Sequence, residues 1–235
     1  MSDLRFSFPA CVIAGKGEIT PDDVGLMRHH MWPDGITSRY QASMALALHD
    51  CCTTHCPEWT AYLVEAIAEF VVWRDSADGD VTGETAGWLL EKVASAGAVH
   101  SPAGLEIILH VLDIARNVPG FLSAAALNQL RLALLPEPRG AYARRRLDSR
   151  GVTKADLAYL WRILRTAVDR GSVRLARAEQ LILEQIDVLC EAEECHPGWR
   201  DVMLLAEIAS RSDDIRATEW LLLDADIPVT EHAAA

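Results

Sequence analysis

A helical spacing of apolar residues, repeated along almost the whole chain, most constrains the fold. Apolar residues recur at i, i+3, i+4 and i+7 in about ten stretches, for example "WTAYLVEAIAEFVVW" and "KADLAYLWRILRTAV". Thr20-Pro21 and Ser101-Pro102 agree with this spacing, because each places a proline where a helix would begin. No stretch alternates strictly between apolar and polar residues. The sequence therefore predicts an all-α protein of about ten helices.

The composition predicts a globular protein and excludes several classes of partner. The chain has 235 residues, of which 50% are hydrophobic, so it can bury a sizeable core. Its formal net charge of -12 repels phosphate backbones, and we expect no nucleic-acid partner. No stretch has the roughly 18 uninterrupted apolar residues of a transmembrane segment. The first residues do not resemble a signal peptide, and the six cysteines then fit a reducing cytoplasm.

Three sequence landmarks recur in the same order in the two halves of the chain. They are separated by nearly the same distance, about 130 to 140 residues, which is typical of an internal repeat. The matching segments are "ITPDDVGLM" (19–27) with "VTKADLAYL" (152–160), "CPEWTAYLVEAIA" (56–68) with "HPGWRDVMLLAEIA" (196–209), and "AGWLL" (86–90) with "TEWLL" (218–222). The sequence therefore predicts two tandem, related helical-bundle units.

A shift in composition marks the predicted boundary between the units. The stretch "PEPRGAYARRRLDSRG" is rich in arginine, proline and glycine and lacks apolar periodicity. We interpret it as a linker or surface loop, although its arginines could also bind an acidic partner or a phosphate group. The predicted domains are an N-terminal tail (1–17), a first unit with a connecting helix pair (18–135), the Arg-rich linker (136–151) and a second unit (152–235).

A short acidic turn occurs twice, each time before an apolar helical stretch. The first copy is "WPDG" at residues 32–35, and the second starts "DGDVTGETAGWLLEKV". Four carboxylates lie close together around the second copy, where they repel one another unless they are solvated or bound to a cation. They belong to Asp75, Asp78, Asp80 and Glu84.

Two interpretations of these turns stay open. A calcium loop of the EF-hand type is excluded for the second turn, because Arg74 and Thr85 would be its first and last ligands. In one interpretation the turns only punctuate helices, with Thr37 or Thr82 as the cap. In the other, the turns bind a divalent cation weakly.

The Asp-Gly turns also carry a family resemblance. In "PDGITSRYQASMALAL" (33–48), Asp-Gly is followed by a β-branched residue, by Thr or Ser, and by an apolar helix, and "ADGDVTGETAGWLL" (77–90) has the same order with one Asp after Asp-Gly. This pattern resembles the repeated signature of TerB-like proteins, which are linked to tellurite resistance and related to the N-terminal domain of the DjlA membrane co-chaperone. "DRGSVRLARAEQLIL" (169–183) is a degenerate third copy. The whole chain is similar to bacterial TerB-like proteins built from two such units.

The resemblance implies an all-helical fold of pseudo-symmetric helix pairs, with acidic residues that bind metal. The residues that match are Asp34, Asp78 and Glu84, and their neighbour Asp80 completes the candidate set of metal ligands. The resemblance further implies a role in metal or envelope stress response.

A second candidate site is the cysteine- and histidine-rich stretch "HDCCTTHCPEW". Its alternative metal ligands are Cys51, Cys52, His55 and Cys56, preceded by His49. Soft ligands at this density can bind zinc or take part in thiol redox chemistry. The other interpretation is a set of core and helix-end residues, because cysteine often behaves as a small buried hydrophobe. The matching place in the second half holds Cys190, Cys195 and His196.

The sequence contains no recognisable catalytic motif. We therefore predict a non-enzymatic interaction or accessory protein that needs no cofactor and binds a protein whose identity the sequence does not reveal. One alternative is a divalent-cation sensor that uses the acidic Asp-Gly loops. A more distant alternative is a helical-bundle metalloenzyme, for which Glu65 and Glu69 on one helix face would be candidates.

Overall fold

Helices dominate the computed structural model, which describes residues 7–76, 78–146, 149–169 and 172–210. The helices are α1 (Phe8–Lys16), α2 (Pro21–Leu26), α3 (Arg39–Cys51), α4 (Pro57–Glu69), α5 (Gly83–Val93), α6 (Pro102–Ile114), α7 (Gly120–Ala133), α8 (Gly140–Arg145), α9 (Lys154–Leu164), α10 (Arg177–Leu189) and α11 (198–210). The all-α prediction is therefore confirmed for the part of the chain that the structure describes.

The strands are pairs of two-residue segments that join helices. The parallel pair is β1 (Glu18–Ile19) with β2 (Thr54–His55). The antiparallel pairs are β3 (Ala94–Ser95) with β4 (Ala98–Val99), and β5 (Val168–Asp169) with β6 (Ser172–Val173). Segments this short form no sheet of their own, and they fix the connections between helices.

The helix starts follow from local capping chemistry. Thr20 accepts a hydrogen bond from the Asp23 amide at 3.4 Å, and the Asp23 carboxylate accepts one from the Thr20 amide at 2.9 Å. Thr153 and Asp156 form the same reciprocal pair before α9, at 3.2 and 2.8 Å. Such capping boxes satisfy two amides that a helix start otherwise leaves unpaired.

The α6–α7 helix pair lies at the centre of the core. Helix α6 packs against α4, and α7 packs against α10. Leu105, Ile107 and Ile108 of α6 are fully buried, and Leu127 and Leu130 of α7 are buried with them. One continuous apolar core therefore includes residues from both halves of the described chain.

The predicted Arg-rich linker, residues 136–151, contains a packed helix. Ala141 and Tyr142 of α8 are buried, and the Tyr142 hydroxyl donates to the Asp156 carboxylate at 2.7 Å. The side chain of Arg146 is only 6% exposed, and its Nε pairs with the same carboxylate at 3.0 Å. The predicted N-terminal tail likewise contains α1. The domain boundaries themselves stay predictions.

Two further predictions concern a landmark near the end of the chain and membrane-spanning helices. The "TEWLL" landmark at 218–222 lies outside the described residues. Among the helices that are described, none is long and apolar enough to cross a membrane.

Candidate site at the paired Asp-Gly loops

The two Asp-Gly turns lie in loops that begin in the same way. Loop 1 is residues 32–38, and loop 2 is residues 75–82, of which residue 77 is not described. A π-helical turn precedes each loop, Met27–Met31 before loop 1 and Phe70–Arg74 before loop 2. Such turns insert one extra residue into a helix and are frequent at functional sites. The loops are therefore a geometric feature that is repeated in the fold.

Backbone conformation explains the glycines of both turns. Gly35 has a φ of 75° and Gly79 a φ of 82°, in the left-handed region that only glycine enters without strain. Asp78 also lies there, with a φ of 56°. Thr82 caps α5 by accepting from the Thr85 amide at 3.1 Å, as predicted. The first turn is different, because Ser38, and not Thr37, caps α3.

The Arg39 side chain holds two carboxylates of loop 2 and the start of α5. Its Nε lies 3.0 and 2.9 Å from the two carboxylate oxygens of Asp75. Its Nη1 lies 2.7 Å from Glu84 Oε1, and its guanidinium lies over the Trp88 ring at 5.8 Å. The hydrogen bonds that Arg39 donates to Asp75, and then to Glu84, raise the pKa of Arg39 above its usual value. Two of the crowded carboxylates therefore share one arginine from the neighbouring helix, which offsets one of their two negative charges.

A second arginine links the loops in the opposite direction. Arg74, which ends the π-helical turn before loop 2, donates from Nη2 to the Asp34 carbonyl of loop 1 at 3.1 Å. The Thr85 hydroxyl donates to Asp75 Oδ2 at 2.9 Å and orients that carboxylate towards Arg39. Each loop is therefore contacted by an arginine that lies next to the other loop in the chain.

The other candidate carboxylates have different environments. Asp80 Oδ1 accepts from the Asn117 amide nitrogen at 2.7 Å, and the two residues also form a backbone bridge. The side chains of Asp34 and Asp78 are exposed and form no ion pair within the described chain. Within the same residues, no group of three or more His, Cys, Asp or Glu side chains is arranged to hold a metal ion. A cation site formed by Asp34, Asp78, Asp80 and Glu84 stays a prediction.

Two exposed aromatic side chains flank loop 2. Trp73 is 51% exposed, and its ring lies 3.0 Å from the position of a Cβ on Gly79. Phe121 is 41% exposed, and its ring lies 3.9 Å from the corresponding position on Gly83. A side chain at Gly79 would displace the Trp73 ring. We call Trp73 and Phe121 the aromatic pair.

The cysteine- and histidine-rich stretch has a different geometry. The rings of His49 and His55 stack, with centroids 4.0 Å apart, and the Trp59 indole donates to His49 Nδ1 at 3.3 Å. Burial and then His55 lower the pKa of His49 to about 4, so its imidazole is neutral at pH 7. Cys52 is buried, with Sγ 4.0 Å from the Ile13 carbonyl of α1, and burial raises its pKa.

The other candidate ligands of that stretch differ in their environments. Cys51 is exposed at the end of α3, and Cys56 is half-buried before α4. The Nε2 atom of His55 lies 2.9 Å from the carbonyl oxygen of His49. A zinc site formed by Cys51, Cys52, His55 and Cys56 also stays a prediction.

A wide surface groove of the described chain lies away from both candidate sites, between α10 and α11. It has a volume of about 910 Å³, and Cys190, Cys195 and Trp199 line it. The Trp199 indole donates to the Asp187 carboxylate at 2.8 Å and joins the two helices across the groove. From the sequence, Cys190 and Cys195 were identified only as the counterparts of the cysteine- and histidine-rich stretch in the first half.

Comparisons with family models, curated proteins and solved structures give no function that can be transferred to this chain. No protein-family model matches it, and no curated protein and no solved structure matches it either. The TerB-like resemblance therefore depends on the Asp-Gly signature alone.

Proposed function

We propose that this protein is a non-enzymatic interaction module that binds another protein through the aromatic pair. The observation that carries the proposal is the exposure of Trp73 and Phe121 on both sides of loop 2. Aromatic side chains that enter an apolar pocket supply most of the binding free energy of many interfaces. The partner that fits this surface is a protein with an apolar pocket for the Trp73 ring.

The hydrogen bonds that hold loop 2 in place favour binding through the aromatic pair. Arg39 and Arg74 hold the two loops together, and Asn117 holds Asp80 from the other side of loop 2. The backbone amide of Arg116 also donates to the Gly79 carbonyl at 2.9 Å. A surface that is already ordered loses less conformational entropy on binding, which leaves more of the contact energy as affinity.

We further propose that the module consists of two tandem TerB-like units. Equivalent hydrogen bonds at two landmarks support this. The Cys56 amide donates to the Ile19 carbonyl at 3.0 Å, and the His196 amide donates to the Val152 carbonyl at 2.8 Å. In both halves this bond joins the start of one helix to the residue before a Thr-Asp capping box.

The tryptophans of the second landmark support the same proposal. The Trp59 indole donates back to His49 near the end of α3, and the Trp199 indole donates back to Asp187 near the end of α10. Helices α3 and α10 both contain 13 residues. One ancestral unit, in which the tryptophan binds the preceding long helix, accounts for both arrangements.

The cysteines and the resemblance support a proposal for the cellular location of this protein. All six cysteines are free thiols, which fits a reducing cytoplasm. The TerB-like signature supports a role in metal or envelope stress response. We therefore propose a cytoplasmic accessory protein of such a response.

Affinity capture with matched variants tests the interaction function. The immobilised protein is exposed to an extract of its source cells, in parallel with a Trp73→Ala/Phe121→Ala variant and with Trp161→Ala. Trp161 is a suitable control because it is 64% exposed on α9. We expect at least one protein to bind the wild type and the control and to be lost from the double variant. An unchanged set of bound proteins, with all variants folded by circular dichroism, would contradict the proposal.

Divalent-cation sensing is the second candidate, because Asp78 is exposed without an ion-pair partner among the described residues. Thermal unfolding after chelator treatment, titrated with calcium, magnesium, manganese or zinc, distinguishes the two functions. The interaction module predicts no shift of the midpoint. A shift that Asp78→Asn/Asp80→Asn removes would establish the sensor, and a zinc shift lost only in Cys52→Ser would establish the cysteine site.

The metalloenzyme alternative has less support. It requires carboxylates that face the interior of the bundle, and Glu65 and Glu69 are both exposed on α4.

A further inference from the structure

We propose that Cys190 and Cys195 are an oxidation site, at which a low-molecular-weight disulfide converts the two thiols into one intramolecular disulfide bond. The site borders the α10–α11 groove and lies apart from the aromatic pair, so this inference is independent of the interaction function.

The backbone between the two cysteines turns back on itself. Cys190 follows the last residue of α10, and its amide donates to the Ile186 carbonyl at 3.1 Å. Residues 192–194 then form a 3₁₀ turn, and the Cys195 amide donates to the Ala192 carbonyl at 3.4 Å. This turn places both cysteines on the lining of the same groove, where Cys195 is close enough to contribute to the raised pKa of Cys190. A disulfide requires Cα atoms within about 7 Å of each other, a separation that such a short reversal of the chain permits.

The segment before α9 holds this turn from the other side. The Glu191 amide donates to the Arg150 carbonyl at 3.1 Å, and the Val152 amide donates to Cys195 Sγ at 3.4 Å. The Val152 N–H therefore fixes the position of the Cys195 sulfur beside the turn.

The adjacent thiols of Cys51 and Cys52 are less suited to such a bond. Cys52 is buried against the Ile13 carbonyl of α1, and Cys51 is exposed. A disulfide between adjacent residues would also strain the connecting peptide. The Cys190–Cys195 pair is therefore preferred over that adjacent pair.

The environments of the two thiols set the order of the reaction. Burial, and then the neighbouring Cys195, raise the pKa of Cys190 to about 12, so its thiol stays protonated at neutral pH. The thiolate is the attacking form. We place the first attack at Cys195, because the Val152 N–H donates to its Sγ at 3.4 Å and a donor of this kind favours a charged sulfur. Its sulfur forms a bond to one sulfur of the small disulfide, whose S–S bond breaks and releases one thiol.

The second step closes the protein disulfide. Cys190 loses its proton to solvent, its sulfur attacks Cys195 Sγ in the mixed disulfide, and the second small thiol leaves. Two protein thiols are oxidised, and one small disulfide is reduced to two thiols. In a reducing cytoplasm such a bond would be transient and would respond to the thiol–disulfide balance.

Incubation with glutathione buffers of increasing oxidised fraction, followed by alkylation and mass spectrometry, tests the proposal. We expect the wild type to lose two of its six alkylatable thiols and to yield a peptide in which Cys190 and Cys195 are linked. Cys190→Ser should instead keep one glutathione on Cys195, and Cys195→Ser should gain neither the bond nor the adduct at Cys190. Cys51→Ser is the control and should behave as the wild type.

Several results would overturn the proposal. They are six alkylatable thiols in the most oxidising buffer, a disulfide that links other cysteines, or glutathione that persists on Cys195 while Cys190 is alkylated. The same incubation in guanidinium chloride shows whether the selectivity needs the folded state. Equal selectivity in denaturant would mean that sequence proximity, and not the turn described here, brings the thiols together.

Discussion

Acidification should destabilise this protein through one buried histidine, His49. Its side chain is 9% exposed, its ring stacks on His55, and its Nδ1 accepts the Trp59 indole N–H. Burial and then His55 lower its pKa from 6.5 to about 4. Because the folded-state value is the lower one, the unfolded chain binds this proton first. The contribution of His49 is therefore fully present above pH 6.5 and is lost as the pH falls towards 4.

The size of the effect follows from the two pKa values. One pKa unit corresponds to about 1.36 kcal/mol of differential interaction. Between about pH 7.5 and about pH 5, this single group should remove about 2 kcal/mol from the free energy of unfolding. Burial raises the pKa of the neighbouring Asp50, so that its carboxylate has the opposite dependence. Only a comparison of matched variants isolates His49.

Urea unfolding followed by tryptophan fluorescence at both pH values is the assay. In His49→Gln the amide oxygen can still accept from Trp59, and the variant should lose about 2 kcal/mol less than the wild type on acidification. His30→Gln, at an exposed position, controls for the change of an imidazole to an amide. Equal losses in the wild type and in His49→Gln would refute the reasoning, because His49 would then titrate in the same way in the folded and unfolded chains.

Further predictions concern burial and close packing, and urea unfolding at pH 7 checks each of them. Arg146→Ala should lower the free energy of unfolding by about 3–5 kcal/mol, because it leaves a buried carboxylate unpaired. Arg150→Ala, at a surface ion pair, should leave the midpoint unchanged, and equal effects would contradict the difference in burial. Gly120→Ala should cost about 1–3 kcal/mol, because its Cβ would lie 2.3 Å from that of Ala176. Gly87→Ala, with no neighbour within 4 Å, should instead add about 0.4–1 kcal/mol, and a loss there would be the contrary result.

Local signals predicted the helices well, because helix caps and apolar stripes depend on residues that are close together in the sequence. Thr20 and Thr153 each stand three residues before an aspartate, and both form the capping box that this spacing favours. The helix inside the Arg-rich segment was missed because it lacks such local signals. It has only six residues, and its main anchor, Tyr142, binds Asp156 in the next helix. A contact of this kind leaves no periodic pattern.

The chemistry of the candidate site could be predicted only in part. The sequence shows the crowded carboxylates, and it does not show which cation neutralises them. Arg39 lies 36 residues before Asp75, and only the packed helices bring the two together. One weak signal was present, since an arginine in the first turn of a helix opposes the helix dipole and therefore needs a compensating partner. The π-helical turns before the loops have no comparable local signature.

The role of Arg39 favours a fixed loop pair over an ion-operated one. A sensor needs two states whose balance depends on the ligand. The guanidinium that joins Asp75 and Glu84 is covalently part of the chain, and its raised pKa keeps it charged at every physiological pH. The contact between the loops therefore does not depend on the concentration of a free cation. An ion that binds at these turns would act through Asp34, Asp78 or Asp80, which Arg39 does not touch, and it would then change the loop surface without removing the Arg39 contacts.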